Sequence, residues 1–333
     1  MNPHQLMALS LGIACSTQAM ADKAAADRAY AVGDFETAFA EYTTSSDLGN
    51  SEVQFMIGRM YANGQATTTN DELAALWYRR SASQGNRHAQ NNLGSLYRLG
   101  RGVPQDIDEA RRWYRLAADQ DEPVAQFNLG SLYEFGQGGE QNPAVAAYWY
   151  TRAAMQNDVI AQIQLGNLFL EGKGVEQSTA TALRWYRRAA EKGMPAAQFN
   201  LGIVFHHGKG VRADETEAAK WYRLAAEQGH PEATNNLGLL YRDGVGVPRN
   251  VIVAFLLLFR TQSYERTRQK ASTTLKALVP RLGRENLEMT LDLVKTVQQG
   301  RPLFKVIDEV LMTTPVVWPD PIKDKETGPK SMA

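Results

Sequence analysis

Histidine, cysteine and paired aromatic side chains are the residues of this 333-residue sequence whose types could do chemistry. His206 and His207 are adjacent. Neighbouring positions on a helix point about 100° apart, so this pair is a poor chelate. Cys15 is the single cysteine, which excludes disulfides and cysteine-based zinc sites from the rest of the chain. No phosphate loop, Gly-x-Ser-x-Gly or His-Glu-x-x-His motif occurs. We therefore expect no catalytic residue, no metal site, no cofactor and no enzyme.

A tryptophan-tyrosine pair returns every 36 residues. The pairs are Trp77-Tyr78, Trp113-Tyr114, Trp149-Tyr150, Trp185-Tyr186 and Trp221-Tyr222. Such rings could stack on a carbohydrate or a cation. Aromatic residues at a fixed repeat spacing are more typical of the interlocking core of a stack of repeats. We interpret the pairs as core.

A second dipeptide has the same period and indicates the elements that position these rings. It reads Ile57-Gly58, Leu93-Gly94, Leu129-Gly130, Leu165-Gly166, Leu201-Gly202 and Leu237-Gly238. Self-similarity at about 20–50 residues is the signature of a solenoid. In the unit from Arg87 to Asp121, apolar residues follow the helical spacing twice, on either side of a glycine-containing loop. The sequence therefore predicts two helices per repeat, here called the first and the second helix.

Capping residues mark the helix ends. The second helix is preceded by Asn70, Asp106, Asn142, Ser178, Asp214 and Asn250, all of which can accept from free backbone N–H groups. It ends at Gly85, Asp121, Asn157, Gly193 and Gly229, which tolerate a left-handed C-cap. The glycine inside each first helix costs about 1 kcal/mol against alanine. Its recurrence predicts that a helix backbone packs on it and that Gly130→Leu destabilises the array.

The pattern of residues 89–121, which recurs at 197–229, resembles the Sel-one-like repeat family, a branch of the tetratricopeptide class. The resemblance implies an all-α fold, a right-handed helix-turn-helix solenoid of six 36-residue repeats with N- and C-terminal helical caps. We expect a signal peptide at 1–21 and a capping helix pair at 22–50. The repeat array should cover 51–262, capping helices 263–311 and a disordered tail 312–333. The apolar island around Trp318 is interpreted either as a docking motif or as an intramolecular contact.

The N-terminal segment predicts export. Met1 to Ala21 holds no charged residue, is mostly apolar from Leu6 to Ala14 and ends in a small-x-small site. We expect a periplasmic or secreted protein, with a lipid anchor on Cys15 as the alternative. No later stretch is apolar for 18 residues, so no transmembrane segment is expected after cleavage. The 36 basic residues balance 36 acidic ones, which argues against a nucleic-acid partner.

The candidate binding residues lie on the first helices, which usually line the concave face of such arrays. Positions that differ between repeats are free to serve a partner, whereas invariant ones serve the stack. The candidates are Arg59, Asn91, Ser95, Arg98, Phe127, Ser131, Glu134, Asn167, Leu170, Phe199, Ile203, His206, Leu239 and Arg242. They predict a groove with apolar patches edged by mixed charge, suited to a protein or peptide. Phe55, Phe127, Ile163 and Phe199 are either groove anchors or the rim of the core.

The resemblance implies a non-enzymatic scaffold or adaptor in the bacterial periplasm or cell envelope. A secreted effector that contacts a host is the alternative. A cell-wall-acting enzyme or accessory is a third hypothesis, since cysteine-rich relatives have been linked to β-lactam hydrolysis. Those relatives carry paired cysteines in every repeat, which this chain lacks.

Overall fold

The computed structural model describes residues 23–44 and 48–313, and every regular element in these ranges is a helix. The protein is an all-α solenoid of six consecutive repeats with paired helices. The expected signal peptide, Cys15, Trp318 and the chain after Thr313 lie outside the described residues. The chain forms two compact units, Met1–Gln177 and Ser178–Ala333.

Unit 1 begins with a short helix pair and continues with the first repeats. Its helices are α1 (23–31), α2 (Phe35–Thr44), α3 (Ser51–Asn63), α4 (Asp71–Ser83), α5 (Arg87–Leu99), α6 (Ile107–Asp119), α7 (Pro123–Phe135), α8 (Pro143–Met155) and α9 (Val159–Glu171). From α2 to α9 each helix packs against the next. The odd-numbered helices from α3 are first helices and the even-numbered ones from α4 are second helices.

Unit 2 continues the alternation of first and second helices and then adds the helices α15, α16 and α17, whose bounds follow. Its helices are α10 (Thr179–Glu191), α11 (Pro195–His207), α12 (Glu215–Glu227), α13 (Pro231–Asp243), α14 (Val251–Thr261), α15 (Glu265–Leu282), α16 (Arg284–Gln298) and α17 (Leu303–Thr313). Here α11 and α13 are first helices, and α10, α12 and α14 are second helices.

The predicted caps are confirmed. In all six second helices the N-cap side chain accepts a backbone N–H three residues on, as Asp106 does from Glu109. Asp121 and Asn157 adopt φ of 59° and 70°, the left-handed conformation expected at the end of a second helix. Each described first helix from α3 to α13 also ends on a left-handed glycine. Capping thus sets both ends of each repeat.

The glycine inside a first helix packs on the second helix, as predicted, and in four repeats its nearest contact is a tyrosine ring; the backbone carbonyl of Ala110 lies 3.1 Å from a Cβ built on Gly94. A Cβ built on Gly94 would lie 2.9 Å from the Tyr114 ring, and one on Gly202 would lie 2.5 Å from Tyr222. The tyrosines are the core members of the aromatic pairs, each at most 3 % exposed. Apart from Trp149, the paired tryptophans are only half-buried, so the core interpretation holds fully for the tyrosines and for Trp149.

Buried glutamines connect successive helices, a feature that the sequence analysis missed. Gln126 donates through Nε2 to the Ala118 carbonyl at 3.1 Å and accepts from Gln156 Nε2 at 2.9 Å. The same two bonds join Gln90 to Ala82 and to Gln120. Each amide donates from its nitrogen and accepts at its oxygen, so both polar atoms of these buried side chains have a partner.

The loop between the two helices of a repeat rests on the preceding repeat. Gly102 has φ of 66°, and a Cβ there would lie 2.1 Å from the Asp71 carbonyl oxygen at the start of α4. Gly246 repeats this geometry against Glu215 of α12. The first repeat has Ala66 at this position, exposed and at φ of 59°. Alanine fits there because no full repeat precedes it.

The C-terminal helices bury the last second helix. Val251 to Leu258 are each at most 5 % exposed, because α14 packs against α13, α15, α16 and α17. At this terminal position Leu257-Leu258 replaces the Trp-Tyr pair of the other repeats. Leucine side chains, which are smaller than the aromatic ones, fill this enclosed site. Helix α15 continues through Pro280 to Leu282.

Candidate partner-binding surface

The candidate residues lie on α3, α5, α7 and α9 in unit 1 and on α11 and α13 in unit 2, and we call this the first-helix surface. Most are half-buried, and Asn91 is buried at 8 % exposure. The variable positions of the first helices therefore line the edge of the core and have part of their surface open to solvent.

In unit 1 the hydroxyl groups of the core tyrosines reach this surface. Ser95 Oγ lies 3.0 Å from the Tyr114 hydroxyl, and Arg98 Nε donates to the same oxygen at 3.4 Å. The next repeat uses a carboxylate instead, since the Tyr150 hydroxyl donates to Glu134 Oε2 at 2.6 Å. Burial and this bond to Glu134 raise the pKa of Tyr150. The variable positions thus set the charge around an invariant hydroxyl.

Half-buried aromatic residues of the first helices pack on the same tyrosines. The ring centroids of Phe127 and Tyr150 are 5.5 Å apart, and those of Phe199 and Tyr222 are 6.0 Å apart. Phe55 lies 5.9 Å from Tyr78 in the same way. The phenylalanines thus pack on the edge of the core and keep part of each ring exposed, which fits both interpretations of these residues. Ile163 is buried at 9 % exposure.

Amide side chains join neighbouring first helices. Asn128 Nδ2 of α7 donates to Asn91 Oδ1 of α5 at 3.0 Å, and Asn91 Nδ2 contacts Asn92 Oδ1 at 3.3 Å. Asn91 is one of the predicted candidates, whereas Asn92 and Asn128 are not. The signal was present, because Asn92, Asn128, Gln164, Asn200 and Asn236 follow the 36-residue period. Asn167 belongs to this polar set through its 2.8 Å bond to Gln164.

Arg59 is set apart from the other candidates. It lies 36 residues before Ser95, and its guanidinium stacks 4.4 Å from the Tyr30 ring centroid. Tyr30 belongs to α1, so the N-terminal helix partly covers the guanidinium of Arg59. Ser131 and Leu170 are half-buried on α7 and α9.

Unit 2 brings three candidates from two first helices into one cleft. His206, Leu239 and Arg242 line a cleft of about 230 Å³ together with His207, Asn236, Leu240, Asp243 and Val245. Its apolar part comes from Leu239, Leu240 and Val245. Arg242 is held by Asp243 through bonds of 2.7 and 2.6 Å, so the rim presents a fixed ion pair. Ile203 packs at the edge of the neighbouring core.

The two histidines of this cleft have different partners. His206 Nδ1 lies 2.5 Å from Glu215 Oε2. Burial and the neighbouring His206 lower the pKa of His207, so neutral His207 is favoured at neutral pH. His207, Asn236 and Asp243 line the cleft, and Glu215 contacts it through His206; none of these four is among the predicted candidates. These residues come together only through the packing of α11, α12 and α13.

Residues 23–44 and 48–313 contain no cluster of three or more His, Cys, Asp or Glu residues that could hold a metal ion. Over the same part of the chain, no helix combines the length and apolar character needed to cross a membrane.

Comparison with known proteins gives the family. The Sel1 repeat model matches residues 51–86, 87–122, 123–158, 159–194, 195–230 and 231–260. The chain belongs to the Sel1 repeat family, which is the Sel-one-like family expected from the sequence. Sel1 repeat proteins generally act as protein-interaction scaffolds, a fold that is typically non-enzymatic. No curated protein matches the chain.

Two solved structures are similar over most of the chain. A Sel1 repeat protein from Oxalobacter formigenes is 31% identical, with a TM-score of 0.66, and the match covers 73% of this chain and 98% of that one. The protein c5321, a protective antigen of uropathogenic Escherichia coli strains with an SLR fold, is 28% identical with a TM-score of 0.55. That match covers 88% of this chain and 71% of the other.

Proposed function

We propose that this protein is a non-enzymatic scaffold that binds an extended peptide or protein segment on its first-helix surface. The observation that carries the proposal is the unit 2 cleft, in which variable positions of two successive first helices converge on an apolar floor with a charged rim. An apolar side chain of a partner would enter beside Leu239, and its flanking polar groups would meet Arg242 and Asn236. This division into an apolar pocket and polar edges suits peptide recognition.

The same surface in unit 1 supports a polar partner segment. Asn91, Asn128 and Ser95 present amide and hydroxyl groups that can donate or accept. Arg98 and Glu134 give neighbouring helices opposite charges. A bound segment would therefore be selected by its pattern of charge and hydrogen-bonding groups, which gives specificity more than affinity.

We also propose that the protein acts in the periplasm or cell envelope after export. The uncharged N-terminal segment with its small-x-small end supports this location. The similarity to a protective antigen favours a secreted or host-contacting protein as the second candidate. Cell fractionation together with N-terminal sequencing separates these cases. Recovery in the cytosol with Met1 intact contradicts both.

Photocrosslinking tests the binding surface directly. A photoreactive phenylalanine analogue replaces Leu239 in the cleft, and in the control it replaces Leu76, which is 41 % exposed on second helix α4. We expect a discrete crosslinked partner in cells from position 239 and none from position 76. Equal crosslinking from both positions contradicts the proposed site.

A charge-removing variant provides a second test. Arg98→Ala, Glu134→Gln and Arg242→Ala are combined, and the control combines Arg184→Ala, Arg187→Ala and Glu191→Gln, three exposed residues of second helix α10. The first variant should lose the partner at unchanged helicity, whereas the control should retain it. Retention of the partner by both variants moves the binding site away from the first-helix surface.

A further inference from the structure

Helix α17 occupies a groove on the second helices of unit 2. Arg223 of α12 donates through Nη2 to Asp308 Oδ1 of α17 at 2.6 Å, and its guanidinium lies 5.5 Å from the Phe304 ring centroid. Val306, Ile307 and Val310 of α17 are buried in one core cluster with Ala219, Leu237 and Tyr241. An amphipathic helix with an aspartate is thus the natural occupant of this groove.

Unit 1 contains the same groove three repeats earlier in the sequence. Subtracting three 36-residue periods from Arg223, Leu237 and Tyr241 gives Arg115, Leu129 and Tyr133. These three residues line a cleft of about 350 Å³ together with Arg111, Arg112 and Leu116. The cleft lies on α6 and α7, which correspond to α12 and α13. In unit 2, α17 packs mainly on α14 and α16 and reaches α12 through the bond from Arg223 to Asp308.

The ion pairs show that the unit 1 groove lacks a helix equivalent to α17. Arg223 bonds Glu227 of its own helix at 2.8 Å and also Asp308 of α17. Arg115 makes the equivalent bond to Asp119 at 3.2 Å. Within the described residues no second carboxylate pairs with it. The Arg115 side chain is 52% exposed and that of Arg223 is 29% exposed, so the guanidinium of Arg115 can accept a further anionic partner.

The floor of the groove is also more exposed in unit 1 than in unit 2. Tyr241 is buried at 6 % exposure in the core cluster that includes α17, whereas Tyr133 remains half-buried. The rim is more basic in unit 1, because Arg111 and Arg112 stand where unit 2 has Ala219 and Lys220. Arg111 and Arg112 keep bonds to Asp108 and Glu109 of α6. An occupant more acidic than α17 fits this end best.

We propose that the groove formed by Arg111, Arg112, Arg115, Leu116, Leu129 and Tyr133 binds an amphipathic helix of a partner protein. The helix carries an apolar face and an aspartate or glutamate that pairs with Arg115. The ring position that Phe304 takes at Arg223 is filled here by Trp149, whose ring centroid lies 5.1 Å from the Arg115 guanidinium. The template is α17, in which Phe304 and Asp308 are four residues apart. This site lies on α6 and α7, includes none of the candidate residues of the first-helix surface and does not depend on them.

The test uses a peptide with the sequence of residues 301–313 as the probe and the full chain as the receptor. A lactam between Lys305 and Glu309, both exposed on α17, fixes the peptide as a helix. Binding is followed by fluorescence anisotropy. We expect saturable binding to the wild-type chain and at least a tenfold loss with Arg115→Glu. The milder variant Arg115→Gln should give an intermediate loss, and circular dichroism checks that both variants fold.

Three controls make the assignment specific. Arg188→Glu, an exposed arginine on α10, changes the net charge equally and should leave the affinity unchanged. A peptide with Asp308→Lys should bind Arg115→Glu better than it binds the wild-type chain. Arg223→Glu should not weaken the probe, because that residue belongs to the seat of the chain's own α17.

Several outcomes overturn the proposal. One is the absence of binding to the wild-type chain, and another is equal affinity for wild type and Arg115→Glu. Loss of binding with Arg223→Glu alone would mean that the probe exchanges with α17 in unit 2. Concentration-dependent dimerisation of the chain that is abolished by Arg115→Glu would assign the groove to a second copy in place of a partner helix.

Discussion

The ring of Tyr150 lies directly against Gly130, so that a Cβ built on this glycine would be 2.8 Å from the ring. The contact joins a first helix to its own second helix, and four other repeats have an equivalent close contact: Tyr78, Tyr114 and Tyr222 with their glycines, and Leu258 with Gly238. The glycine gives up helix propensity of about 1 kcal/mol so that the two helices can approach.

Gly130→Ala is therefore expected to lower the melting temperature. The added methyl group must displace a buried ring, which costs about 1–3 kcal/mol in a packed core and outweighs the gain in propensity. Thermal unfolding followed by circular dichroism measures the change. Gly49→Ala is the control, since a Cβ at Gly49 meets no atom within 4 Å. An unchanged or raised melting temperature for Gly130→Ala would show that the ring moves aside at no cost.

Gln126→Ala should destabilise unit 1 by about 1–3 kcal/mol, the usual cost of leaving buried polar groups unpaired. The substitution removes the donor to the Ala118 carbonyl and the acceptor for Gln156. Chemical denaturation of this variant is compared with Gln137→Ala, which alters an exposed loop residue. Equal stability of the two variants would mean that water replaces the buried amide.

The sequence predicted the helices well because its signals are local. Capping types and the spacing of apolar residues act within one or two turns, so the ends of α6 or α12 follow from residues near Asp106 or Asp214. The buried glutamines were also predictable, since Gln54, Gln90, Gln126, Gln162 and Gln198 share the 36-residue period.

Contacts between elements far apart in sequence could not be predicted in this way. Nothing near Asp308 indicates that its carboxylate pairs with Arg223, 85 residues earlier. Within the candidate surface, the positions could be selected from the sequence, but their hydrogen-bonding partners could not. The pairing of Glu134 with the Tyr150 hydroxyl depends on how two helices are placed, which the variability of a position does not reveal.

His230 makes the stability of unit 2 depend on pH. Its Nδ1 accepts from the Ala233 N–H at 3.3 Å and so caps α13, and its ring stacks on Phe199 at 4.6 Å. Burial lowers the pKa of His230 from its ordinary value of 6.5, against the opposing effect of Glu232. A depressed folded-state pKa gives stability that is present above about pH 6.5 and is lost as the pH falls through the folded value.

Replacing His230 with asparagine, the residue at the equivalent cap Asn86, should remove this pH dependence and keep the cap. Denaturation midpoints are measured between pH 8 and pH 5 for wild type and His230→Asn. We expect the difference between them to shift in favour of the variant as the pH falls, by up to about the 0.5–2 kcal/mol value of an N-cap. Parallel pH profiles for wild type and His230→Asn would exclude this role.

Asp308→Ala is expected to loosen α17 locally. The Arg223–Asp308 pair is partly exposed, with side chains 29% and 44% accessible, so its loss should cost no more than about 1 kcal/mol. Such a loss is small for the whole chain but large for one 11-residue helix at the end of the fold. Hydrogen exchange should therefore be several-fold faster in α17 and unchanged in α5. Asp292→Ala, which removes an exposed i,i+3 pair with Lys295 on α16, is the matched control. Exchange in α17 that is as slow in Asp308→Ala as in Asp292→Ala would show that Phe304 and the buried valines hold the helix without the ion pair.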